Sequence, residues 1–341
     1  MFRPRLNLAT AVALTAIVLS LYSAVWLVLA RQARGRVDAQ FARERERGVS
    51  LSVGSESTAG FPFRLEVRLS DVVADGLPHV AKGHFAAPTV IAWARPWRLD
   101  SWRFTLPGGA SIDGPQGSVA AGKLRGSAGV VLGPGATPGG DLLDVKLENV
   151  SIKSGDRLTQ IAAGTLTLRL PPGPPQAHEE PLFSMALQAH QITLPTGVAP
   201  LGEQIDHLKL DATWRGPVPP GKLTDALAAW RDDGGTIELQ SIDLGWGPLS
   251  LLADGTLALD KTLQPLGAFS ARIMGYDAIL DTLIASGGIK QNDAALVRMG
   301  LSMMAQRGAD GTPQLKTPVA VQDDALFLGP ARLMKLARIE W

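Results

Sequence analysis

The chain has 341 residues, enough for two domains of ordinary size or one long β-rich domain, and its 45% hydrophobic and 19% charged residues are those of a folded protein. With 37 glycines and 24 prolines it is rich in turns, which argues against a mainly helical bundle, and with no cysteine it excludes disulfides, Cys-ligated zinc, iron–sulfur clusters and a Cys nucleophile. The net charge of +1 hides an asymmetry: residues 1–48 hold eight arginines against Asp38, Glu44 and Glu46, leaving 25 basic and 29 acidic residues in 49–341, the wrong sign for a nucleic-acid binder.

Residues 1–5 form a short tail. Leu6 to Ala30, "LNLATAVALTAIVLSLYSAVWLVLA", carries no charge and is bracketed by Arg3, Arg5 and Arg31. As a helix it would extend ~37 Å at 1.5 Å per residue, enough to cross a hydrocarbon core of ~30 Å. The "VLA" before Arg31 resembles a signal-peptide cleavage site, yet the apolar run is about twice the usual ~7–15-residue core. The segment is therefore expected to be an uncleaved transmembrane helix. Two arginines precede it and six follow closely, a count that would keep the body in the cytoplasm. That rule weakens before a long domain, so charge alone leaves orientation open. Residues 31–48, "RQARGRVDAQFARERER" and the glycine after it, read as a charged juxtamembrane helix with Ala33, Val37 and Phe41 at spacing four. It is either a stalk or a basic surface resting on anionic headgroups.

The body, 49–341, is expected to be β-rich. In "GFPFRLEVRLSDV" (60–72) Phe63, Leu65, Val67 and Leu69 alternate with Arg64, Glu66 and Arg68, a strand with one apolar and one wet face. The same alternation marks strands at 98–106 (Trp102, Phe104, Leu106), 141–152, 205–214 (Leu208, Leu210, Ala212, Trp214), 237–246 and 256–259. About a dozen such segments with short turns predict antiparallel meanders. "GPGATPGG" (133–140) and "PPGPPQAHEEP" (171–181) read as loops, the second dividing the body into halves 49–170 and 182–341. "GTLTL" (164–168) and "GTLAL" (255–259) each read as a turn glycine followed by a strand. Helices are expected at 222–233, with Leu223, Leu227 and Trp230 on one stripe and Gly234-Gly235 as a stop, and at 276–286 and 289–306. The last section, 317–336, returns to strand and turn.

Chemistry-bearing patterns are absent. His79, His84, His178, His190 and His207 are scattered without the spacing of a helical zinc site, and no serine sits in a G-x-S-x-G elbow. "GSVAAGKL" (117–124) matches a phosphate loop only up to its last position, where Leu124 replaces the required hydroxyl, and a strand pattern follows. "GPGATPGG" departs from a dinucleotide fingerprint at Pro138. No catalytic, metal-binding or cofactor-binding residue is nominated, and no enzyme activity is expected. A hydrolase would need a cleft converging on groups such as His79, His84 or Asp75.

The segments "WRDDGGTIELQSIDLGWGPLSLLADGTLALD" (230–260), "LQPLGAFSARIMGYDAILDTL" (263–283) and "LKTPVAVQDDALFLGPARLMKL" (315–336), with the N-terminal anchor and 60–72, resemble a family of uncharacterised Gram-negative proteins known only as a numbered domain of unknown function. The resemblance covers most of 49–340. It implies one N-terminal anchor, a β-rich body and an inner-membrane, single-pass protein with its body in the periplasm, and it supplies no catalytic residues. More distantly, strand–turn units behind an anchor resemble AsmA-like envelope proteins, which expose an elongated β-groove.

The expected fold is mainly β (α+β): an elongated, twisted antiparallel sheet meander or groove with a few helices, mainly C-terminal, behind one transmembrane helix. Its apolar faces could close as a sandwich, lie under helices or line an open groove, and the expected helices are too few to cover a dozen strands. A groove would use Phe63, Leu65, Val67, Trp102, Phe104, Leu208 and Trp214 to hold a phospholipid or other amphiphile. The competing expectation is an envelope scaffold that binds a protein partner.

Overall fold

The computed structural model describes residues 22, 23, 26, 49–76, 83–115, 117–129, 140–171, 173–196, 201–285, 291–307, 311–329 and 331–339. The expected transmembrane segment 6–30, apart from Tyr22, Ser23 and Trp26, lies outside these residues, as do the juxtamembrane helix 31–48, most of the 133–140 loop and His79. Among the described residues no helix is long and apolar enough to cross a membrane. The fold is mainly β, antiparallel, with few helices, and the chain divides into two compact units. Unit 1 comprises Met1–Pro115 and Arg125–Leu132, and unit 2 comprises Gln116–Leu124 and Gly133–Trp341.

Unit 1 contains β1 (Ser50–Ser52), β2 (Ser55–Ala59), β3 (Leu65–Asp75), β4 (His84–Arg95), β5 (Arg98–Leu106) and β6 (Ala110–Gly114). Strand β3 pairs antiparallel with β1, β2 and β4, and β4 pairs with β5 and β6. Its core gathers where β3 starts: Leu65 is 0% exposed, Val67 3% and Ala94, opposite Leu65, 1%. Trp26 packs on Leu65 with Leu99 and Trp102 alongside. The strand expected from Phe63 begins two residues later, because Phe61, Pro62 and Phe63 form a turn closed by the Arg64 N–H donating to Gly60 O at 2.9 Å.

Strand β7 (Gly117–Gly129) contributes residues to both units. The near-miss phosphate loop, 117–124, lies within it as plain strand.

Unit 2 contains β8 (Gly140–Ser154), β9 (Arg157–Leu170), β10 (Pro181–Thr193), β11 (Gln204–Arg215), α1 (Leu223–Asp232), β12 (Thr236–Trp246), β13 (Leu249–Leu259), β14 (Pro265–Met274), α2 (Tyr276–Ala285), α3 (Gln291–Met304), β15 (Ala305–Arg307), β16 (Pro313–Gln322), β17 (Ala325–Leu328) and β18 (Ala331–Lys335). From β8 to β14 every strand pairs antiparallel with its sequence neighbour. Beyond β14 the next neighbour is β16, which also pairs with β15 and β17, and β17 pairs with β18. Of the Pro-rich stretch 171–181, the described residues ahead of Pro181, where β10 begins, form a loop between the paired strands β9 and β10.

Helix α1 follows its expected stripe in part: Leu227 and Trp230 are buried, but Leu223, in the first turn, is 47% exposed and Ala226 is buried instead. Asp225 sits in the first turn and Arg231 in the last, complementing the helix dipole. Gly234 ends it at φ +84, a backbone conformation that glycine adopts without a steric penalty. Gly235 has a second reason to be glycine: a Cβ there would lie 2.2 Å from Nε1 of Trp230, which lies over it.

Two local features depart from the sequence reading. Gly164 and Gly255 are not turn residues; each lies mid-strand, opposite Ala189 and Phe269 respectively. The Phe269 ring lies over both Gly255 and Gly267, filling the space those glycines leave. The second departure is a phase slip. Apolar positions move by one residue between Leu69 and Val72, between Leu147 and Val150, and between Ala189 and Ile192. Each slip contains a non-glycine residue at positive φ: Asp71 (φ 50), Asn149 (φ 54) and Gln191 (φ 51). A left-handed residue breaks the strict alternation of a strand, so the apolar pattern must be read in two phases.

The turn from β13 to β14 is organised by Asp260, whose Oδ1 accepts from Thr262 N (2.7 Å), Thr262 Oγ1 (2.8 Å) and Gln264 N (2.8 Å). Burial pushes this carboxyl up, but those donors and the nearby Arg338 outweigh it and hold Asp260 below the usual carboxylate range.

Candidate functional site

The register of unit 2 places its large aliphatic residues in rows on one face. One row runs Leu147, Gly164, Ala189, Leu208, Leu244, Leu251, Ile273, Leu315 from β8 to β16. The next, two residues along each strand, runs Val145, Leu166, Leu187, Leu210, Ile242, Ala253, Ala271, Thr317. A third carries Leu143, Leu168, Met185, Ala212, Leu239, Gly255, Phe269 and Val319. The side chains between these positions, on the opposite face, are largely polar: Lys146, Thr165, Gln188, Lys209 and Asp243 stand in one such row.

The burial of the apolar rows is what makes this face a candidate site. Leu166, Leu187, Leu208, Leu210, Ile242, Leu244 and Leu251 are all half-buried, neither sealed nor free. Within the rows Val145, Ala189, Ala212 and Ala271 are buried, and the larger sealed side chains fall at the ends. At one end Trp230 of α1, 1% exposed, covers Trp214 with ring centroids 5.1 Å apart, and Phe183 stacks on Trp214 at 5.7 Å. The Trp230 N–H donates to Arg215 O at 2.7 Å, which fixes the helix on the sheet. The Trp214 N–H is shut off from solvent with no acceptor among the described residues, a state that costs about 1–3 kcal/mol. At the other end Leu249, Leu315, Tyr276 and Leu280 are buried near the start of α2. The helices are 10, 10 and 14 residues long, against strands of up to 15.

The polar face carries its own cluster. His207 Nε2 lies 3.0 Å from Asp243 Oδ1 and Lys209 Nζ 3.2 Å from Asp243 Oδ2. The His207 hydrogen bond, with Lys209 beside it, holds the Asp243 carboxyl below its usual range against some desolvation. His190 is the cross-strand partner of His207, but the His207 ring lies over Gly245, where a Cβ would be 2.5 Å from its Cε1. A hollow of about 500 Å³ lies along β12, β13, β14 and β16, where Ile242, Ala253, Ala271 and Thr317 of the second row line it together with polar side chains such as Asp254 and Arg272. In unit 1, His84 Nδ1 lies 2.6 Å from Asp75 Oδ1 at the far end of the β3–β4 hairpin, with side chains 44% and 57% exposed, so the pair is a surface contact rather than a cleft. Among the described residues no group of three His, Asp or Glu is placed to hold a metal ion.

The seven residues expected to line a groove separate into two sets. Phe63, Leu65, Val67, Trp102 and Phe104 belong to unit 1, where Leu65 and Val67 are core, Trp102 and Phe104 are half-buried and Phe63 is 71% exposed. Leu208 and Trp214 belong to unit 2 and share the apolar face of β11. The rows add Leu166, Leu187, Leu210, Ile242, Leu244 and Leu251, all of which alternate in the sequence; what alternation cannot supply is the cross-strand register that lines them up.

No curated protein and no solved structure matches the chain. Residues 26–337 match the model of a family described as an uncharacterized protein conserved in bacteria, DUF2125. That match spans the end of the apolar N-terminal segment, both units and the C-terminal segments quoted above, so the chain belongs to the DUF2125 family.

Proposed function

We propose that the protein is a non-enzymatic, membrane-anchored component of the cell envelope that shields lipid acyl chains on the apolar face of unit 2. The reading is supported above all by the half-buried Leu and Ile rows of that face. A sealed core drives such side chains to near-complete burial, and these stop short of it along several consecutive strands. Eight strands at about 4.8 Å spacing make the rows roughly 34 Å long. One acyl chain needs about half of a ~30 Å hydrocarbon core, or roughly 15 Å. Shielding ~12 methylenes contributes ~10 kcal/mol gross at ~0.8 kcal/mol each, before ordering costs. The anchor is residues 6–30, and the body belongs in the periplasm, in an elongated groove of the AsmA-like kind.

Photocrosslinking in intact cells tests this. A benzophenone amino acid at Leu210 or Leu251 should capture phospholipid, read as a mass adduct on the purified chain, while one at Lys209 on the opposite face should not. Lipid-free protein at all three positions would sink the proposal.

A second reading, a scaffold for an envelope protein, draws on α3, where Met299 and Met303, four apart, are 63% and 78% exposed. Flexible methionines on one helical face suit a partner's apolar surface. This reading predicts a single protein adduct of fixed size from a crosslinker at Met299.

A further inference from the structure

One end of unit 1 combines features that its core does not need. Leu65 is paired with Ala94, so the turn before β3 and the tip of the β4–β5 hairpin come to the same end. There Phe61 is 51% exposed, Phe63 71% and Trp97, at the hairpin tip, 60%. Three large aromatic side chains held out in water within one small region are costly for a soluble surface. Around them stand Arg64, Arg95, Arg98 and Arg103, all exposed. Arg64 and Arg103 both lie over Trp93, at 5.6 and 5.0 Å from its ring centre. Arg95, Arg98 and Arg103 line a pocket of about 80 Å³ with Ser101 and Trp93.

The charge at this end is unbalanced. Glu66 is taken by Arg68 at 3.2 Å, and Asp100 lies 3.8 Å from Arg98. Among the described residues Arg64, Arg95 and Arg103 have no carboxylate partner. A pocket lined by three arginines, of which only Arg98 has a carboxylate near it, is suited to bidentate contacts with phosphate oxygens.

The chain itself indicates which phosphate source faces this end. Tyr22 and Trp26 come from the apolar N-terminal segment. Trp26 donates to Arg64 O at 2.9 Å and meets Phe61 edge-on, with ring centres 5.5 Å apart. Tyr22 donates to Pro62 O and lies 6.2 Å from the Phe61 ring. The exposed aromatics are thus continuous with the segment that carries the membrane-spanning expectation.

We propose that this end of unit 1 seats on an anionic bilayer surface: Phe61, Phe63 and Trp97 enter the interfacial layer while Arg64, Arg95, Arg98 and Arg103 bind lipid phosphodiesters. Aromatic rings favour the interface, and basic side chains beside it are drawn to anionic headgroups. The proposal rests on the membrane anchor of the reading above but not on a lipid-shielding face in unit 2. It fixes the end of unit 1 that faces the bilayer.

The chain lacks cysteine, so single-cysteine variants report one site each. Full-length Phe63→Cys, Trp97→Cys and Ile112→Cys, the last at the opposite end of the hairpin system and 39% exposed, would carry an environment-sensitive fluorophore. Each is reconstituted into vesicles of phosphatidylcholine alone or with phosphatidylglycerol. The labels at 63 and 97 should shift to shorter wavelength in the anionic vesicles and be quenched by interfacial lipid quenchers, while the label at 112 stays aqueous. Adding Arg95→Gln, Arg98→Gln and Arg103→Gln should abolish the difference between the two vesicle types. Protein that floats with the vesicles while both labels stay aqueous overturns the seating alone. Protein that does not float overturns the anchor as well. Equal shifts at 63, 97 and 112 would overturn it too, since they would mean that unit 1 is immersed without orientation.

Discussion

Leu65 in unit 1 and Leu210 in unit 2 occupy the same kind of position, an apolar residue between polar neighbours on an antiparallel strand, and they meet different fates. Leu65 is 0% exposed, closed over by Trp26 and flanked by Leu99 and Trp102. Leu210 is half-buried in a row of similar residues with its neighbours beside it. Alternation specifies which face a side chain takes; whether anything covers that face depends on residues far along the chain. The cover in unit 1 is Trp26 from an N-terminal segment together with Leu99 and Trp102 of β5, and in unit 2 the large covering side chains are concentrated at the ends.

This contrast can be broken by truncation. Trp230→Ala should cost about 3–5 kcal/mol and Leu65→Ala about 2–5 kcal/mol in urea unfolding, since both empty sealed space. Leu210→Ala should cost no more than about 1.5 kcal/mol, as a half-exposed Leu loses only part of its transfer energy. Equal losses at Leu65 and Leu210 would mean that the unit 2 face is closed after all. A smaller effect sharpens the role of the phase slips: Asn149→Val should destabilise by about 1–2 kcal/mol because a β-branched side chain resists the left-handed backbone, whereas Asn149→Gly should be close to neutral in the same assay. The smallest effect belongs to Asp260. Its carboxyl titrates below the ordinary value, so its stabilisation is complete above that value and is lost as pH falls through the folded-state pKa. Asp260→Asn should therefore cost under about 1 kcal/mol at neutral pH and progressively less as pH falls through the folded-state pKa. A loss that persisted unchanged in acid would point to packing rather than charge.

Much of this architecture is legible in the residues. The strands expected at 98–106, 205–214 and 237–246 are found as β5, β11 and β12 with ends displaced by one residue at most, because each apolar run is bounded by turn glycines or prolines. Strand β12 keeps its ends although its period slips between Leu239 and Ile242, where the pairing with β13 shifts register. The helix expected at 222–233 is α1, set by its stripe and its Gly234-Gly235 stop. Phe63 illustrates where the pattern misleads: its alternation continues that of Leu65, but the Gly60–Arg64 turn takes it out of the strand. Asp71, Asn149 and Gln191 mark a second limit: Asp and Asn tolerate a left-handed backbone better than other side chains, but within a strand pattern all three read as ordinary outward positions. The candidate face was legible only in fragments. Leu208 and Trp214 were visible as one strand's apolar set, while the rows require pairings that join residues more than 100 positions apart, such as Leu147 and Leu251.

The nearest-neighbour pairing from β8 through β14 bears on how the chain assembles. Each ribbon needs only the one made immediately before it. At roughly 5–20 residues per second of synthesis a strand of a dozen residues emerges in about a second, while a hairpin closes in about 1–10 μs. A growing chain can therefore zip each new ribbon onto the last long before the following one appears, with one raw edge open at any moment. The exception is β14, whose outer edge must wait for α2 and α3 to emerge before β16 arrives, making that interval the point at which a misplaced strand could intrude.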